Sequence, residues 1–301
     1  MAEESGAPRV AVVTGAEGML GQAVMDLAPA GVQVHGVDLA DGDLSELNGV
    51  RAALAPHDPT RVIHCAAYTD VEGCTRDPSR AYLNNAVAAE NVARICAELG
   101  ARMVMISTDY VFDGTKNEPY TEQDLPHPLS AYGESKLAGE RLAAAQLEDL
   151  LVVRTQWLFG PGGRNFVAAI VERARDGVEL RVVADQWGMP TYTRDLAPAL
   201  WKVALSPQRG IQNLVNCGQA ITWADLAERA LGAAGLGHVP VAHIATLDWP
   251  TPTVRPRYSV LSINHWLSLG NAPLRPWAEA VDDYVANYLA DATPAGDLSA
   301  A

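Results

Sequence analysis

Short apolar runs alternate with longer amphipathic stretches through the first half of the chain. The runs are almost wholly apolar and rich in Val, Ile and Leu, which is typical of strands buried on both faces of a parallel sheet. These predicted strands are RVAVVTG at 9–15, VQVHGVD at 32–38, RVIHCAA at 61–67, RMVMIST at 102–108 and LLVVRT at 150–155. Helix-like stretches separate them, so the pattern predicts an α/β fold with a doubly wound parallel sheet.

The alternation is less regular in the second half, where Pro and Trp are frequent. Two later apolar runs, near 179–185 and 211–216, predict strands that return to the main sheet. We therefore expect a first domain at 8–156 that includes these returning strands. A smaller C-terminal domain at 157–290 is expected to be interleaved with it. The last residues, 291–301, read DATPAGDLSAA and are predicted to form a disordered tail.

The first predicted strand ends in a glycine-rich loop, VVTGAEGMLGQ, that leads directly into a predicted helix. Gly15, Gly18 and Gly21 let the backbone turn tightly and let a pyrophosphate approach the helix N-terminus, where free N–H groups favour negative charge. Close packing of strand and helix would by itself also account for these glycines. Asp38 ends the next strand, where a carboxylate accepts hydrogen bonds from the adenosine ribose. Together these features predict a dinucleotide site in a Rossmann-type fold.

The charge around Asp38 predicts which dinucleotide is preferred. A carboxylate there repels the 2′-phosphate of NADPH, and residues 39–43, LADGD, contain no Lys or Arg to compensate. Glu17 adds negative charge to the glycine loop. We therefore expect NADH to be favoured over NADPH. Asp43 and Leu44 either border the adenine or form an ordinary turn and helix start.

The segment SAYGESKLAGER at 130–141 places Tyr132 at the start of a predicted helix and Lys136 four residues later on the same face. A nearby ammonium stabilises a phenolate and lowers the phenol pKa from its usual value of about 10. Thr108 ends an apolar strand, where parallel α/β sheets bind ligands, and can offer a hydroxyl to a substrate carbonyl. The small residues of HCAA at 64–67 would admit a flat nicotinamide ring. The alternative interpretation is an amphipathic helix whose lysine packs its stem against the core.

Composition restricts the class of partner. The chain has 301 residues, 22 Lys and Arg against 36 Asp and Glu, and a net charge of −14, which argues against nucleic acid or an anionic membrane. The four cysteines form no CxxC pair and have no accompanying His cluster, so they are expected to be reduced thiols that bind no metal. The N-terminal MAEESGAPRV lacks the apolar region of a signal peptide. We expect a soluble, cytoplasmic protein.

These features together resemble the extended short-chain dehydrogenase/reductase family, and within it the dTDP-4-dehydrorhamnose reductases and related NDP-sugar 4-ketoreductases. The resemblance extends over most of the chain, from about residue 9 to residue 288. The segments that carry it are AAYTDVEGC at 66–74, STDYVFDG at 107–114, YGESKLAGE at 132–140, RTQWLFGPGGRNF at 154–166, DQWGMPTYTRDLA at 185–197 and RPRYS at 255–259.

The resemblance implies roles for the residues that match family motifs. It makes Thr108, Tyr132 and Lys136 catalytic. The residues implied to bind the cofactor are Gly15, Gly18, Met19, Leu20, Gly21, Asp38, Asp43, Leu44, Ala66, Ala67, Tyr68, Thr69, Tyr132 and Lys136. The residues expected to bind the substrate are Thr108, Asp109, Trp157, Asn165 and Arg255, with Arg164, Arg194 and Arg257 as further candidates for its pyrophosphate.

The implied reaction is reduction of the C4 ketone of a dTDP-4-keto-6-deoxyhexose by NADH or NADPH, most simply dTDP-4-dehydrorhamnose to dTDP-rhamnose. Relatives are often homodimers, so a homodimer is the expected assembly. Some relatives bind Mg²⁺ at a dimer interface, but no residue of this chain is assigned to a metal. Met19 stands where the family often has Gln, and Tyr258 where it has Asn in the RPxNS-like motif. The second departure lies in the substrate half and bears on the identity of the sugar.

Two alternative functions remain open from the sequence. The non-catalytic regulatory subunit of methionine adenosyltransferase resembles the same family, and a complete set of catalytic residues does not prove turnover. A 4-epimerase or 4,6-dehydratase of the same superfamily is the other alternative. The dehydratases usually carry two acidic residues beside the catalytic threonine, whereas here Tyr110 follows Asp109.

Overall fold

A computed structural model describes residues 9–290, and the predicted tail at 291–301 lies outside the described residues. The strands, in chain order, are β1 Arg9–Thr14, β2 Val32–Val37, β3 Arg61–His64, β4 Arg102–Thr108, β5 Leu150–Thr155, β6 Leu158–Phe159, β7 Leu180–Val183, β8 Trp187–Gly188, β9 Thr191–Tyr192, β10 Gly210–Asn213, β11 Asn216–Cys217, β12 Ile221–Thr222, β13 Val241–Ile244 and β14 Leu274–Pro276.

The helices alternate with the strands of the first half, as the pattern predicts. They are α1 Met19–Asp26, α2 Leu47–Leu54, α3 Val71–Arg76, α4 Pro78–Tyr82, α5 Ala88–Leu99, α6 Ala131–Gln146, α7 Phe166–Arg175, α8 Thr193–Ala204, α9 Trp223–Ala233, α10 Asn264–Ser268 and α11 Trp277–Tyr284. A π-helical turn at Leu83–Val87 separates α4 from α5, and a 3₁₀ turn at Asp109–Val111 follows β4.

The large sheet is parallel, six-stranded and ordered β10-β5-β4-β3-β1-β2. The chain runs from β1 outward to β2 and then returns to the other side of β1 to form β3. Ligands of such sheets bind at the carboxyl ends of the strands, in the crevice where the strand order reverses. The structure therefore confirms the predicted Rossmann-type sheet and places its ligand crevice beyond the ends of β1 and β3.

Side chains of the central strands alternate between two apolar layers, because successive strand residues point to opposite faces. Val13 and Ala11 pack into one layer and Val12 into the other. Helices α1 and α8 cover the first layer, and Trp201 of α8 donates a hydrogen bond from Nε1 to the carbonyl of Val24 at 2.8 Å. Helices α2, α5 and α6 cover the second layer. A helix from the second half of the chain thus covers one face of the main sheet.

The expectation that the segment near 179–185 returns to the main sheet is wrong. Its strand β7 pairs with β13 in a separate two-stranded sheet, because Leu180 and Val182 pack against α7 and α9. The strand that joins the main sheet is β10, at the edge beside β5. The division at 8–156 and 157–290 stays a prediction. Within residues 9–290, no helix combines the length and the apolar character needed to cross a membrane.

Candidate active site

The glycine loop is packed too closely for side chains. Gly15 has φ +67°, in the left-handed region, and a Cβ there would lie 2.7 Å from the backbone of Ala66. A Cβ on Gly21 would lie 2.0 Å from the carbonyl oxygen of Gly15. Gly18 precedes α1 and has no side chain to cap its first N–H groups. The loop therefore leaves the N-terminus of α1 open, as binding of a pyrophosphate requires.

A cavity of about 330 Å³ lies beside the loop, and we name it the Asp38 cavity. Its lining includes Gly15, Gly18, Val37, Asp38, Leu39, Asp43, Leu44, Cys65, Ala66, Ala67, Tyr68, Asn84 and Ala88. Asp38 accepts hydrogen bonds from the backbone N–H groups of Glu17 at 3.0 Å and Leu39 at 2.9 Å. Asp43 lines the cavity and also accepts a hydrogen bond from the N–H of Ser45, and its contact with an adenine stays a prediction. The lining contains two carboxylates and no Lys or Arg.

A second cavity of about 400 Å³, which we name the Tyr132 cavity, continues from the first past Gly15, Gly18, Cys65 and Ala67. It brings the three predicted catalytic residues together. Its lining includes Met19, Leu20, Gly21, Thr69, Val71, Ile106, Ser107, Thr108, Asp109, Tyr110, Tyr132, Lys136, Gln156, Trp157, Leu158, Arg164 and Trp223. The predicted cofactor residues are therefore divided between two connected cavities at the carboxyl edge of the sheet.

Local sequence positions Tyr132 and Lys136. Ser130 caps α6 by accepting a hydrogen bond from the N–H of Gly133, which sets Tyr132 in the first turn. Lys136 is buried and donates from Nζ to the carbonyl of Ile106 on β4 at 2.7 Å. Thr108 ends the same strand, so the helix and strand present their functional groups to one cavity.

The pKa of Tyr132 differs from the expectation that Lys136 lowers it. Burial raises the pKa of Tyr132, and an interaction with the Thr108 hydroxyl opposes this only in part. Burial also lowers the pKa of Lys136 to about 8, although the charges of Glu140 and Cys65 oppose the change. Lys136 is bonded to a strand carbonyl here. The phenol is therefore held in its protonated form, the form needed in a general acid.

A buried ion pair between Glu140 and Arg154, close to the catalytic residues, was not identified from the sequence. Glu140 follows Lys136 by one helical turn and bonds to Arg154 of β5, with Nε to Oε1 at 2.9 Å and Nη2 to Oε2 at 2.6 Å. Ser107 donates its hydroxyl to the same carboxylate. The network therefore attaches α6 to β4 and β5 next to the catalytic groups. Its only sequence signal was a Glu at the i+4 position from the lysine.

Asp109, predicted to contact the sugar, is deeply buried and lines the Tyr132 cavity. Its Oδ1 accepts from the hydroxyl of Thr108 at 3.0 Å, and its Oδ2 accepts from the hydroxyl of Ser259. Burial raises the pKa of Asp109 to about 7, while these two hydrogen bonds oppose the rise. Ser259 comes from the RPRYS segment, 150 residues away, and was not identified as a site residue.

Asn85 is a further buried residue that was not identified from the sequence. Its side-chain oxygen accepts from the N–H of Tyr68 at 2.7 Å, and its Nδ2 donates to the carbonyl of Tyr68 and to Ser135 Oγ, both at 3.0 Å. Asn85 lies in the π-helical turn at Leu83–Val87. Asn85 therefore joins the backbone of Tyr68, which lines the Asp38 cavity, to Ser135 of α6. Its amide pairs with both the N–H and the carbonyl of Tyr68, as the backbone of a neighbouring strand would.

Trp157 lines the Tyr132 cavity, as expected for a sugar contact, and stacks on Trp223. Its φ of +47° is unusual for a bulky side chain, and such backbone conformations concentrate at functional sites. Trp223 also lines a third cavity of about 460 Å³, which we name the Arg173 cavity. Its lining is Phe166, Ala169, Ile170, Arg173, Glu179, Leu180, Arg181, Val182, Val183, Gln186, Trp223, Trp249 and Arg255.

Arg255 lines the Arg173 cavity, and its guanidinium is already paired. Its Nη2 donates to Glu72 on α3 at 2.7 Å. Burial opposes ionisation of Glu72, but hydrogen bonds from Thr251, Thr253 and Arg255 hold the pKa of Glu72 below its ordinary value. A ligand phosphate would therefore have to replace Glu72 as the partner of Arg255.

Three of the other predicted substrate residues do not line the Tyr132 or Arg173 cavity. Asn165 caps α7 by accepting from the N–H of Ala168, and its Nδ2 donates to Gly160, Gly163 and Tyr284, so its amide hydrogens are used within the protein. Arg194 forms an ion pair with Asp26 of α1. Arg257 is exposed to solvent and lines neither cavity. Arg164 does line the Tyr132 cavity, beside the glycine loop.

The side chains of His64 and Cys65 near the crevice are uncharged, as is typical of structural residues. His64 bonds to Thr14 Oγ1 at 2.7 Å, and burial together with the charge of Lys136 lowers the pKa of His64 to about 3, so it is neutral. Cys65 is a free thiol whose pKa burial raises to about 12. No group of three or more His, Cys, Asp or Glu side chains in the part of the chain that the structure describes is arranged to hold a metal ion.

The family model described as "RmlD substrate binding domain" matches residues 9–290, from the first strand of the sheet to the end of the described chain. The chain belongs to the RmlD substrate binding domain family. This agrees with the resemblance predicted from the sequence motifs.

Similarity to individual members of the RmlD family covers almost the whole chain. A Streptomyces antibioticus protein named probable dTDP-4,6-dihydroxy-2-methyloxan-3-one 4-ketoreductase is 41% identical over 94% of this chain and 97% of its own length. The dTDP-4-dehydrorhamnose reductase of Streptomyces griseus is 38% identical over 90% of this chain and 91% of its own. The crystal structure of the Bacillus anthracis dTDP-4-dehydrorhamnose reductase in complex with NADP has a TM-score of 0.89 at 32% identity, covering 93% and 99% of the two chains.

Proposed function

We propose that this RmlD-family protein is a reductase that transfers a hydride from a nicotinamide cofactor to the C4 ketone of a dTDP-4-keto-6-deoxyhexose. The simplest such substrate is dTDP-4-dehydrorhamnose, which would give dTDP-rhamnose. The observation that carries the proposal is that Trp223 lines both the Tyr132 cavity and the Arg173 cavity. One holds the acid–base residues and the other holds arginines. The names of the relatives support the same reaction.

The side chains that line the Tyr132 cavity have separate roles in the proposed reduction. A bound reduced nicotinamide supplies the hydride. Tyr132, held protonated by burial, donates its proton to the ketone oxygen, and the Thr108 hydroxyl binds that oxygen. Lys136 uses one N–H on Ile106 and keeps two further donors for the cofactor ribose. The site thereby orients carbonyl, cofactor and acid before any charge develops on oxygen.

The Arg173 cavity is suited to the dTDP part of the substrate. Its walls are largely apolar and include the rings of Phe166 and Trp223, which suit a planar base. Arg173, Arg181 and Arg255 bring three guanidinium groups to its lining in a protein of net charge −14. Such a cluster is needed to hold a dianionic pyrophosphate. We therefore place the sugar at Trp157 and the nucleotide beyond Trp223.

NADH is the proposed preferred cofactor. The Asp38 cavity carries Asp38 and Asp43 in its lining without a basic side chain, so a 2′-phosphate would meet only negative charge there. The crystal structure of the Bacillus anthracis relative contains NADP, so the proposed preference is a difference in affinity between NADH and NADPH and does not exclude NADPH. We assign no step to Mg²⁺.

Neither alternative function gains a specific observation from the structure. Several relatives that are 35–41% identical and cover nine-tenths or more of this chain are named as reductases or ketoreductases. Asp109 has Tyr110 beside it, whose ring makes an edge contact with Tyr132 at 5.7 Å. No second carboxylate of the dehydratase type follows Asp109.

The proposal is tested with purified protein, NADH or NADPH, and a dTDP-4-keto-6-deoxyhexose, by the loss of absorbance of the reduced cofactor. The free 4-ketosugar is the matched control. We expect turnover with the nucleotide sugar only, because the arginines act on the pyrophosphate. Equal turnover of the free sugar would contradict the role given to the Arg173 cavity, and no turnover of either would contradict the reductase assignment. A homodimer is also proposed, and light scattering after size exclusion tests it.

A further inference from the structure

Asp109 is a buried carboxyl group with two hydroxyl partners and no cation. It is 2% exposed, and its oxygens accept separately from Thr108 and Ser259. No Lys or Arg side chain described in the structure forms an ion pair with it. Burying an unpaired carboxylate is costly, so such a group retains its proton to a higher pH. Asp109 therefore differs from an ordinary sugar-binding aspartate.

Asp109 is surrounded by hydroxyl and phenol groups from several elements. Tyr132 faces it from α6, Tyr110 from its own turn, and Ser259 from the C-terminal half. Arg255 reaches Tyr110 but is paired with Glu72, so its charge is compensated. Burial raises the pKa of Asp109 to about 7, and both of its hydroxyl partners favour the carboxylate. The group therefore changes charge near neutral pH.

Protonation of Asp109 decides where the Thr108 hydroxyl points. That oxygen accepts from the N–H of Tyr110 at 3.2 Å and has one further lone pair and one hydrogen. When Asp109 is ionised, the Thr108 hydroxyl donates its hydrogen to Oδ1 of Asp109. With Asp109 protonated, Oδ1–H can donate to Thr108 instead, and the hydrogen of Thr108 is released toward Tyr132. Protonated Asp109 thus completes a chain of hydroxyl groups that leads to the phenol.

We propose that Asp109 is the proton reservoir of this site, which restores the proton of Tyr132 through Thr108. The proposal rests on the proposed reduction. With the hydride bonded to the ketone carbon, the C=O pair moves to oxygen, which takes the proton of Tyr132. Once the product alcohol has left and no longer occupies the Thr108 hydroxyl, the phenolate takes the proton of Thr108 Oγ1, and that oxygen takes the proton of Asp109. Asp109 is left as a carboxylate held by Ser259 and recovers one proton from water, so each turnover consumes one hydride and one proton.

The pH dependence of turnover follows from this assignment. Because protonated Asp109 is the active form, kcat falls as the pH rises through its pKa. Ser259→Ala removes a hydrogen bond that favours the carboxylate, so the fall should move to higher pH by roughly half to one unit. Asp109→Asn keeps the shape but carries no exchangeable proton, so it should abolish this limb and lower kcat roughly tenfold or more. Ser259 acts through Asp109 as a positioning residue.

The test measures kcat against pH for wild type, Ser259→Ala and Asp109→Asn. Asp113→Asn is the matched control, because Asp113 lies in the next turn and its pKa is about 2 despite burial, owing to hydrogen bonds from Thr115, Tyr120 and His127. Its profile should match wild type. An unshifted limb in Ser259→Ala, or a limb retained in Asp109→Asn, overturns the proposal.

A second measurement does not depend on turnover. Carbon-13 NMR of aspartate-labelled protein, assigned by the signal lost in Asp109→Asn, reports the titration of Asp109 directly. A midpoint near pH 7 that rises in Ser259→Ala supports the reservoir, and a midpoint below pH 5 overturns it. If wild type reduces no ketosugar, the proposed function fails, and the titration still decides whether Asp109 holds a proton at neutral pH.

Discussion

Trp157 stacks on Trp223 with ring centroids 3.6 Å apart and planes inclined by 14°. The first residue follows β5 and the second begins α9, so the contact joins the two halves of the chain. Gly188 packs under the indole of Trp157, where a Cβ would lie 2.4 Å from the ring. Both rings line the Tyr132 cavity, and Trp223 also lines the Arg173 cavity. The stacked pair is therefore the structural link between the reacting sugar and the nucleotide in the proposed substrate complex.

Removing one ring should weaken substrate binding selectively. In Trp223→Ala we expect KM for the nucleotide sugar to rise about tenfold. The lost contact is the stacking of the substrate base on the Trp223 ring, and such aromatic stacking contributes about 0.5–1.5 kcal/mol beyond the area that it buries. The Kd for NADH should stay within about twofold of wild type, because Trp223 does not line the Asp38 cavity. Steady-state kinetics and a fluorescence titration with NADH measure the two quantities. Trp223→Phe keeps a ring and should recover most of the lost affinity; failure to do so would argue against stacking.

Tyr132→Phe should abolish most turnover without unfolding the protein. The change removes one hydroxyl and leaves the ring and its edge contact with Tyr110. General acid catalysis contributes typically 10²–10⁴-fold, so kcat should fall by about that factor. Stopped-flow single turnovers measure the loss, and NADH binding serves as the control for an intact site. Near-wild-type turnover in this variant would disprove the role of Tyr132.

The carboxylate of Asp38 should set the cofactor preference. Asp38→Ala is expected to weaken NADH binding about ten- to hundredfold, in line with roughly 1.5–3 kcal/mol for a charged hydrogen bond, and to narrow the difference in affinity between NADH and NADPH. Asp38→Asn retains an acceptor for the N–H of Glu17 and tests the charge alone. Calorimetric titration with both cofactors compares the variants. Glu46→Ala, an exposed acidic residue outside the cavity lining, is the control. An unchanged ratio in both Asp38 variants would mean that this charge does not select the cofactor.

Glu140→Gln should destabilise the fold strongly. The substitution leaves the buried Arg154 guanidinium without its counterion, and breaking a buried pair in this way typically costs about 3–5 kcal/mol. Urea unfolding gives the change in the free energy of unfolding. Glu134→Gln lies on the exposed side of the same helix and should change it by less than about 0.5 kcal/mol. Equal effects of the two substitutions would show that the ion pair has little importance for stability.

Asp109 should make stability fall as the pH rises. Its pKa is about 7 in the folded protein, raised by burial from an ordinary 3.8, so the folded state binds more protons than the unfolded state between these values. The free energy of unfolding should therefore decrease between about pH 4 and pH 7, by about 1.4 kcal/mol per pH unit. Asp109→Asn should remove this part of the slope. Unfolding curves of both proteins at several pH values test it, and parallel slopes would contradict it.

The sequence by itself determined the features that lie within one local segment. Gly15, Gly18 and Gly21 lie within seven residues, and Tyr132 and Lys136 share one helical face, so spacing along a single element was enough to predict them. The apolar runs likewise predicted β1 to β5, because strands buried on both faces must be apolar throughout. The position of the crevice and of Thr108 follows from the ends of those strands, whereas Tyr132 and Lys136 follow from the start of α6.

Only the tertiary structure decided which distant residues meet. Ser259 reaches Asp109 across 150 residues, and Arg255 reaches Glu72 across 183. Nothing in local spacing encodes such pairs, since they depend on how the second half of the chain packs against the first. The same packing placed β7 outside the main sheet. Burial, also set by the whole fold, reversed the expected direction of the pKa of Tyr132, because desolvation there outweighs the hydrogen bond from Thr108.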